Sequence, residues 1–187
     1  MILRSEQHRL DHICTNTDLI FSMPLTLSDS LAKSIEDFTT NSFTNNIELS
    51  THSFVNPLFE HCLEEFKKLD ADFSFRNLLR ILLARLPVGH SHADGIHRDY
   101  DSLNHWSFLI HLKGTSGNTC FYESIIKDKI CKSIPFKPYT LIIFPSLYAH
   151  KGMNTTTIDR YHINFIMELD TKLNGKILDK SSANIFK

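Results

Sequence analysis

A chain of 187 residues is long enough for one domain with a proper core and short for two, so a single domain spanning 1–187 is expected. Its 20 Lys and Arg against 21 Asp and Glu give a formal charge of −1, which removes the general positive field that long duplex DNA or an anionic membrane surface would select; nucleic acid is not an expected partner. No run approaches the roughly 20 apolar residues of a membrane-spanning helix. The N-terminal stretch holds no signal-like apolar run, and Cys14, Cys62, Cys120 and Cys131 form no CxxC pair, which fits reduced thiols in a cytoplasm.

In chain order, "SDSLAKSIEDF" places Leu31, Ile35 and Phe38 at helical spacing, with Ser28 as an N-cap. "NPLFEHCLEEFKKLD" predicts a second helix with Asn56 as its cap and Pro57 as its first residue. Phe59, Cys62, Leu63, Phe66 and Leu69 form its apolar stripe. This helical part occupies about 1–75, a β-core follows over about 78–168, and 169–187 is a polar tail whose end is expected to be disordered. "NLLRILLARLPV" stands open between helix and buried strand.

The strands after it are clearer. "HWSFLIHL" alternates, with Trp106, Phe108, Ile110 and Leu112 on one face and His105, Ser107, Leu109 and His111 on the other. "KGTSGN" turns into "TCFYE", a hairpin signal, and "KICKSI" and "YTLIIF" come next. In "RYHINFIMEL", Tyr161, Ile163, Phe165 and Met167 face one way while Arg160, His162 and Asn164 face the other. If the apolar faces pack under the helices, the polar faces line a cavity inside a curled sheet. The expected fold is mainly β: a double-stranded β-helix, or cupin-like jelly roll, with supporting N-terminal α-helices.

The chemistry concentrates in a few places. Residues at i and i+2 of an extended segment project to one side, so His97 and Asp99 of "DGIHRDYDS" can reach one ion. His150, after the apolar strand and turn of "IIFPSLYAHKG", is the candidate third ligand. Two histidines and a carboxylate make the facial triad of non-haem Fe(II) oxygenases, with positions left open for a co-substrate and O₂. Arg160, ten residues beyond His150 on the inward face of the last strand, supplies a guanidinium able to clamp the far end of a dicarboxylic 2-oxo acid.

Each residue also has a plainer reading. A lone histidine is usually structural, Arg160 alone would be an ion-pair arginine, and His162 and Asn164 could satisfy one another inside the barrel. His90 and His92 permit a rival, histidine-rich cupin centre that uses no 2-oxo acid; otherwise they belong to the cavity mouth. Tyr100 and Tyr122 are candidate pocket residues, and Trp106 is expected in the core. A jelly-roll binding module without chemistry is the remaining alternative. A hydrolase is disfavoured because no GxSxG elbow or motif-bound cysteine is present.

Over roughly residues 78–168 the chain resembles the Fe(II)/2-oxoglutarate-dependent dioxygenases, especially their prolyl-hydroxylase-like branch and the small oxygenases of bacteriophages. The resemblance rests on "IHRDY", "WSFLIHLKGTSGNTCFYE", "LIIFPSLYAHKG" and "RYHINFIMEL" in this order. It implies that His97, Asp99 and His150 are the catalytic iron ligands and that Arg160 binds 2-oxoglutarate. His111 stands where relatives carry a tyrosine that also contacts the co-substrate. His162 replaces a small hydroxyl residue two positions after the arginine. Because halogenating relatives lack the carboxylate ligand, Asp99 favours hydroxylation, with 2-oxoglutarate and O₂ consumed and succinate and CO₂ formed. An amino-acid or protein side chain is the favoured substrate among peptides, amino acids and small molecules.

Overall fold

In a computed structural model the chain is described at residues 13, 15–41, 52–89, 95–153 and 157–177. A 3-10 turn, Thr17–Leu19, leads into β1 (Phe21–Pro24), followed by the helices α1 (Asp29–Asn41) and α2 (Val55–Leu69). Seven strands follow: β2 (Ser74–Leu86), β3 (His105–Lys113), β4 (Asn118–Ser124), β5 (Lys127–Pro135), β6 (Thr140–Pro145), β7 (His150–Gly152) and β8 (Arg160–Asp170). A second 3-10 turn, Asn174–Lys176, ends the described chain.

Ser28 caps α1 as expected, its Oγ accepting the Leu31 N–H at 3.3 Å. The start of α2 differs from expectation. It begins at Val55, so Asn56 lies inside the helix rather than capping it, and Phe54 occupies the cap position without a side-chain cap bond. Burial explains the shift: Phe54 and Val55 are both in the core, and Phe54 packs against Phe38 at 5.2 Å between ring centroids. Pro57 still falls in the first turn, where a missing N–H leaves no intrahelical bond unmade. The stripe is centred on fully buried Leu58, Cys62 and Phe66, with Phe59, Leu63 and Leu69 packed at its margins.

The strands form two antiparallel sheets, one in the order β1-β6-β3-β8-β2 and one in the order β5-β4-β7. The ambiguity over "NLLRILLARLPV" resolves as strand, but an edge strand and not a buried one. Among the described residues β2 pairs only with β8, and it leaves Phe75, Leu78 and Leu79 exposed. Its β-branched and leucine-rich run is compatible with either state, and pairing with β8 along its whole length decides between them.

The alternation predicted for β3 and β8 is the organising feature. Their apolar faces lie under α2, where the Phe66 ring meets Trp106 at 5.4 Å and Phe108 at 5.5 Å, and Phe59 meets Phe165 at 5.6 Å. The opposite faces look toward the second sheet. Phe144 of β6, paired with Ser107, touches Phe121 of β4 at 4.9 Å between ring centroids. The result is a jelly roll whose interior receives Ser107, Leu109 and His111 from β3 and Arg160, His162 and Asn164 from β8.

The segment after β8 is more firmly placed than its polarity implies. Trp106 Nε1 donates to Asn174 Oδ1 at 2.9 Å, Tyr148 Oη donates to the Ile177 carbonyl at 3.0 Å, and Leu173 and Ile177 are buried. The expectation of a disordered end falls on residues outside the described chain. Among the described residues no helix is long and apolar enough to cross a membrane.

Candidate active site

The segment before β3 and the start of β7 are stitched together by backbone. His97 N–H donates to the His150 carbonyl at 3.0 Å and His150 N–H returns to the His97 carbonyl at 2.9 Å, an antiparallel bridge that sets the two imidazoles side by side. Their ring centroids are 4.4 Å apart. Two residues on, Asp99 N–H donates to the Ser146 carbonyl at 2.9 Å, which turns the carboxylate back toward the rings. The candidate ligand atoms of His97, Asp99 and His150 all lie within 4.8 Å of one another.

The tautomers follow from the neighbours. His97 Nδ1 lies 3.2 Å from the Gly95 carbonyl and His150 Nδ1 lies 3.0 Å from the Tyr148 carbonyl. A carbonyl oxygen only accepts, so each Nδ1 carries a proton and Nε2 is the ring atom left to face the shared space as a ligand. Nε2 of His97 is 4.0 Å from Asp99 Oδ1, and Nε2 of His150 is 3.7 Å from Asp99 Oδ2. Burial pushes the Asp99 carboxyl upward, but His150, the donors Ser107 and Asn164, and His97 outweigh it and hold the group below the usual carboxylate range. Two imidazole Nε2 atoms and one carboxylate are a donor set that fits a divalent first-row ion, and the Nδ1 tethers are the second-layer contacts that orient metal-binding histidines.

Asp99 Oδ2 accepts from Ser107 Oγ at 2.7 Å and from Asn164 Nδ2 at 2.8 Å. Ser107 in turn lies 2.8 Å from Ser146 Oγ. Since the carboxylate can only accept, Ser107 donates to it and Ser146 donates to Ser107.

A small cavity is lined by this triad together with Leu82, Leu109, Thr119, Gly152, Arg160, His162 and Asn164. Arg160 is 1 % exposed. Its Nη1 donates to the Asn118 carbonyl at 3.0 Å, and its Nη2 donates to Thr119 Oγ1 at 2.7 Å and to His111 Nε2 at 3.1 Å. Burial lowers its pKa to about 10, so it remains a cation at neutral pH. His111 is pushed down to about 3, by burial first and by the Arg160 charge second, which leaves it neutral and able to accept from the guanidinium.

Phe136 backs this pair, stacked on His111 at 4.4 Å and lying 5.0 Å beneath the Arg160 guanidinium carbon. Its ring explains Gly114 at the end of β3. That residue has φ +152°, and a Cβ there would come within 2.8 Å of the Phe136 ring.

The sequence-predicted residues therefore separate. His97, Asp99, His150, Arg160 and His162 share one cavity, while His111 lies behind Arg160 and does not line it. Tyr100 and Tyr122 do not line it either: Tyr100 is exposed beside His105, and Tyr122 is buried in a small cluster with Cys120 and Ala149. Trp106 is core, as expected. His90 and His92 lie outside the described residues. Asn164 Nδ2 goes to Asp99. Ser107, Ser146 and Thr119 were not anticipated. Ser107 could have been found by following the inward face of β3, whereas Thr119 and Ser146 become visible only when the two sheets meet.

No family model and no curated protein sequence matches the chain. Solved structures do match in shape. The nickel complex of the non-haem monooxygenase ThoJ aligns at TM-score 0.60 and 12 % identity, covering 97 % of this chain and 93 % of its own. A viral collagen prolyl hydroxylase, vCPH from Paramecium Bursaria Chlorella virus-1, aligns at TM-score 0.56 and 15 % identity, covering 80 % and 90 %. HygX from Streptomyces hygroscopicus, with nickel and 2-oxoglutarate bound, aligns at TM-score 0.56 and 10 % identity, covering 90 % and 87 %. At such identities the likeness is one of fold, and with its antiparallel sheets and enclosed polar face this chain has the double-stranded β-helix fold of the Fe(II)/2-oxoglutarate-type oxygenases.

Proposed function

We propose that the chain is an Fe(II)- and 2-oxoglutarate-dependent oxygenase that hydroxylates an amino-acid or protein side chain, releasing succinate and CO₂. The observation that carries this reading is a buried cation in the wall of the same cavity as the triad. Among the described residues no carboxylate pairs with Arg160, and an uncompensated buried charge is costly. A ligand carboxylate there would relieve that cost.

In this reading His97 and His150 offer Nε2 and Asp99 offers a carboxylate oxygen to Fe(II), which when bound supplies the oxidising chemistry with O₂ and the 2-oxo acid. The Nδ1 bonds to the Gly95 and Tyr148 carbonyls keep both rings in the ligating tautomer. Arg160 receives the far carboxylate of 2-oxoglutarate, Thr119 and His111 aim the guanidinium, and His162 contributes to the same wall. Leu82 and Leu109 supply the apolar part of the lining, which limits water around the reacting groups. The resemblance to prolyl-hydroxylase-like enzymes, together with the fold shared with vCPH, favours a peptide or amino-acid substrate.

Anaerobic titration with Fe(II) and 2-oxoglutarate should produce the weak visible charge-transfer band of a chelated 2-oxo acid in the wild type. Arg160→Ala should need at least tenfold more 2-oxoglutarate to reach the same band, in line with loss of a charge-assisted contact of about 1.5–3 kcal/mol. Asp99→Ala should retain the folded far-UV spectrum while losing both band and succinate release. A wild-type protein that binds iron without such a band, or an Asp99→Ala variant with full turnover, would overturn the assignment.

A further inference from the structure

We propose that Asn164 is a two-sided positioning residue: its amide N–H locks Asp99 as a one-oxygen ligand, and its amide oxygen receives a proton donor, first of all a metal-bound water, in the open part of the site. The inference rests on the triad reading given above and adds a residue that the HxD…H pattern does not contain.

The orientation of the amide is dictated by chemistry. Asp99 Oδ2 is an acceptor oxygen, so the atom of Asn164 lying 2.8 Å from it is Nδ2. Oδ1 therefore points away from the carboxylate. Asn164 is 3 % exposed and lines the cavity, and Oδ1 is buried without a hydrogen-bond partner among the described residues. A buried amide oxygen in a polar cavity calls for a donor, and the cavity is where one can come from.

Asp99 Oδ2 already accepts two hydrogen bonds, from Asn164 and from Ser107, which matches the two lone pairs it has to offer. Oδ1 is left for the ion. A carboxylate held this way occupies one coordination position instead of two, which keeps further positions free for the 2-oxo acid and a small ligand. The chemistry of Asn164 Oδ1 then discriminates among small ligands. A water, hydroxyl or N–H satisfies it, whereas an anion without a proton meets an oxygen dipole of the wrong sign. Ser107 shares the first task but not the second, since its hydroxyl proton is committed to Asp99 and its oxygen to Ser146.

That difference provides the test. Mn(II) binding is measured by electron paramagnetic resonance in wild type, Asp99→Ala, Ser107→Ala and Asn164→Leu. Proton hyperfine couplings of Mn(II)-bound water are then recorded for the variants that load. Both Ser107→Ala and Asn164→Leu should weaken Mn(II) about tenfold, the lower end of what loss of an outer contact to a metal ligand costs. Only Asn164→Leu should lose the ordered water-proton coupling. If Asn164→Leu fails to fold, Asn164→Ala makes the same comparison with room to spare. Unchanged Mn(II) affinity in the Asn164 variant, or identical water couplings in the wild type and both variants, would overturn the proposal. Failure of the triad reading itself looks different: Asp99→Ala would then bind Mn(II) as well as the wild type.

Discussion

Protonating His111 would set a second positive charge 3.1 Å from the Arg160 guanidinium inside a buried pocket, and the fold is built to resist that. The side chain is held from its usual 6.5 down to about 3, chiefly by burial and then by the Arg160 charge. In the unfolded chain it titrates near 6.5, so between about 6.5 and 3 the unfolded state binds the proton that the folded state refuses. Stability should therefore decline as pH falls through that window. His111→Gln keeps an acceptor near Arg160 without titrating, so its melting temperature should fall less steeply between pH 7 and pH 4 than that of the wild type. Parallel slopes would show that His111 does not carry this linkage.

At the level of elements, β3 and β8 carry both the core and the site, one on each face. Their outward residues pack on α2 through Phe66, which is fully buried against Trp106 and Phe108. Truncating it by Phe66→Ala should cost about 3–5 kcal/mol, read as a lower denaturation midpoint. The same change should leave the 2-oxoglutarate requirement of the surviving folded fraction unaltered, because the cavity lies on the other face. Alternation was legible in both strands because period two is a local property: it needs no knowledge of what the strand pairs with. The state of β2 was not legible, because a leucine-rich run suits a helix or a strand and only pairing with β8 decides. The start of α2 was misread for a related reason. Capping chemistry favoured Asn56, and burial of Phe54 and Val55 prevailed.

For the molecule as a whole, the cavity lies between two sheets, so a ligand that bridges them should tie them together. The candidate ligands His97 and His150 belong to the second-sheet side of the barrel, while Arg160 and Asn164 belong to β8 of the first sheet. Mn(II) with 2-oxoglutarate at about 100 times their dissociation constants should stabilise the folded state by about 2.7 kcal/mol for each saturated, independent site, and raise the melting temperature accordingly. At the same ligand concentrations the increment from 2-oxoglutarate should fall by at least about 1.3 kcal/mol in Arg160→Ala while that from Mn(II) remains. Loss of neither increment would place the co-substrate elsewhere.

The sequence by itself determined the chemistry of each participant. The i and i+2 spacing aims His97 and Asp99 to one side, and alternation puts Arg160, His162 and Asn164 on one inward face. Turn chemistry ends the strand before His150. These are short-range properties, set by backbone geometry within a few residues. Only the tertiary structure decided which of these groups meet. The bridge between His97 and His150, the two donors on Asp99 Oδ2, the retreat of His111 behind Arg160 and the arrival of Thr119 from the facing sheet all depend on strand pairing between distant parts of the chain. Pairing register is set by the sum of many side-chain contacts across the barrel, and no local stretch of sequence contains that sum.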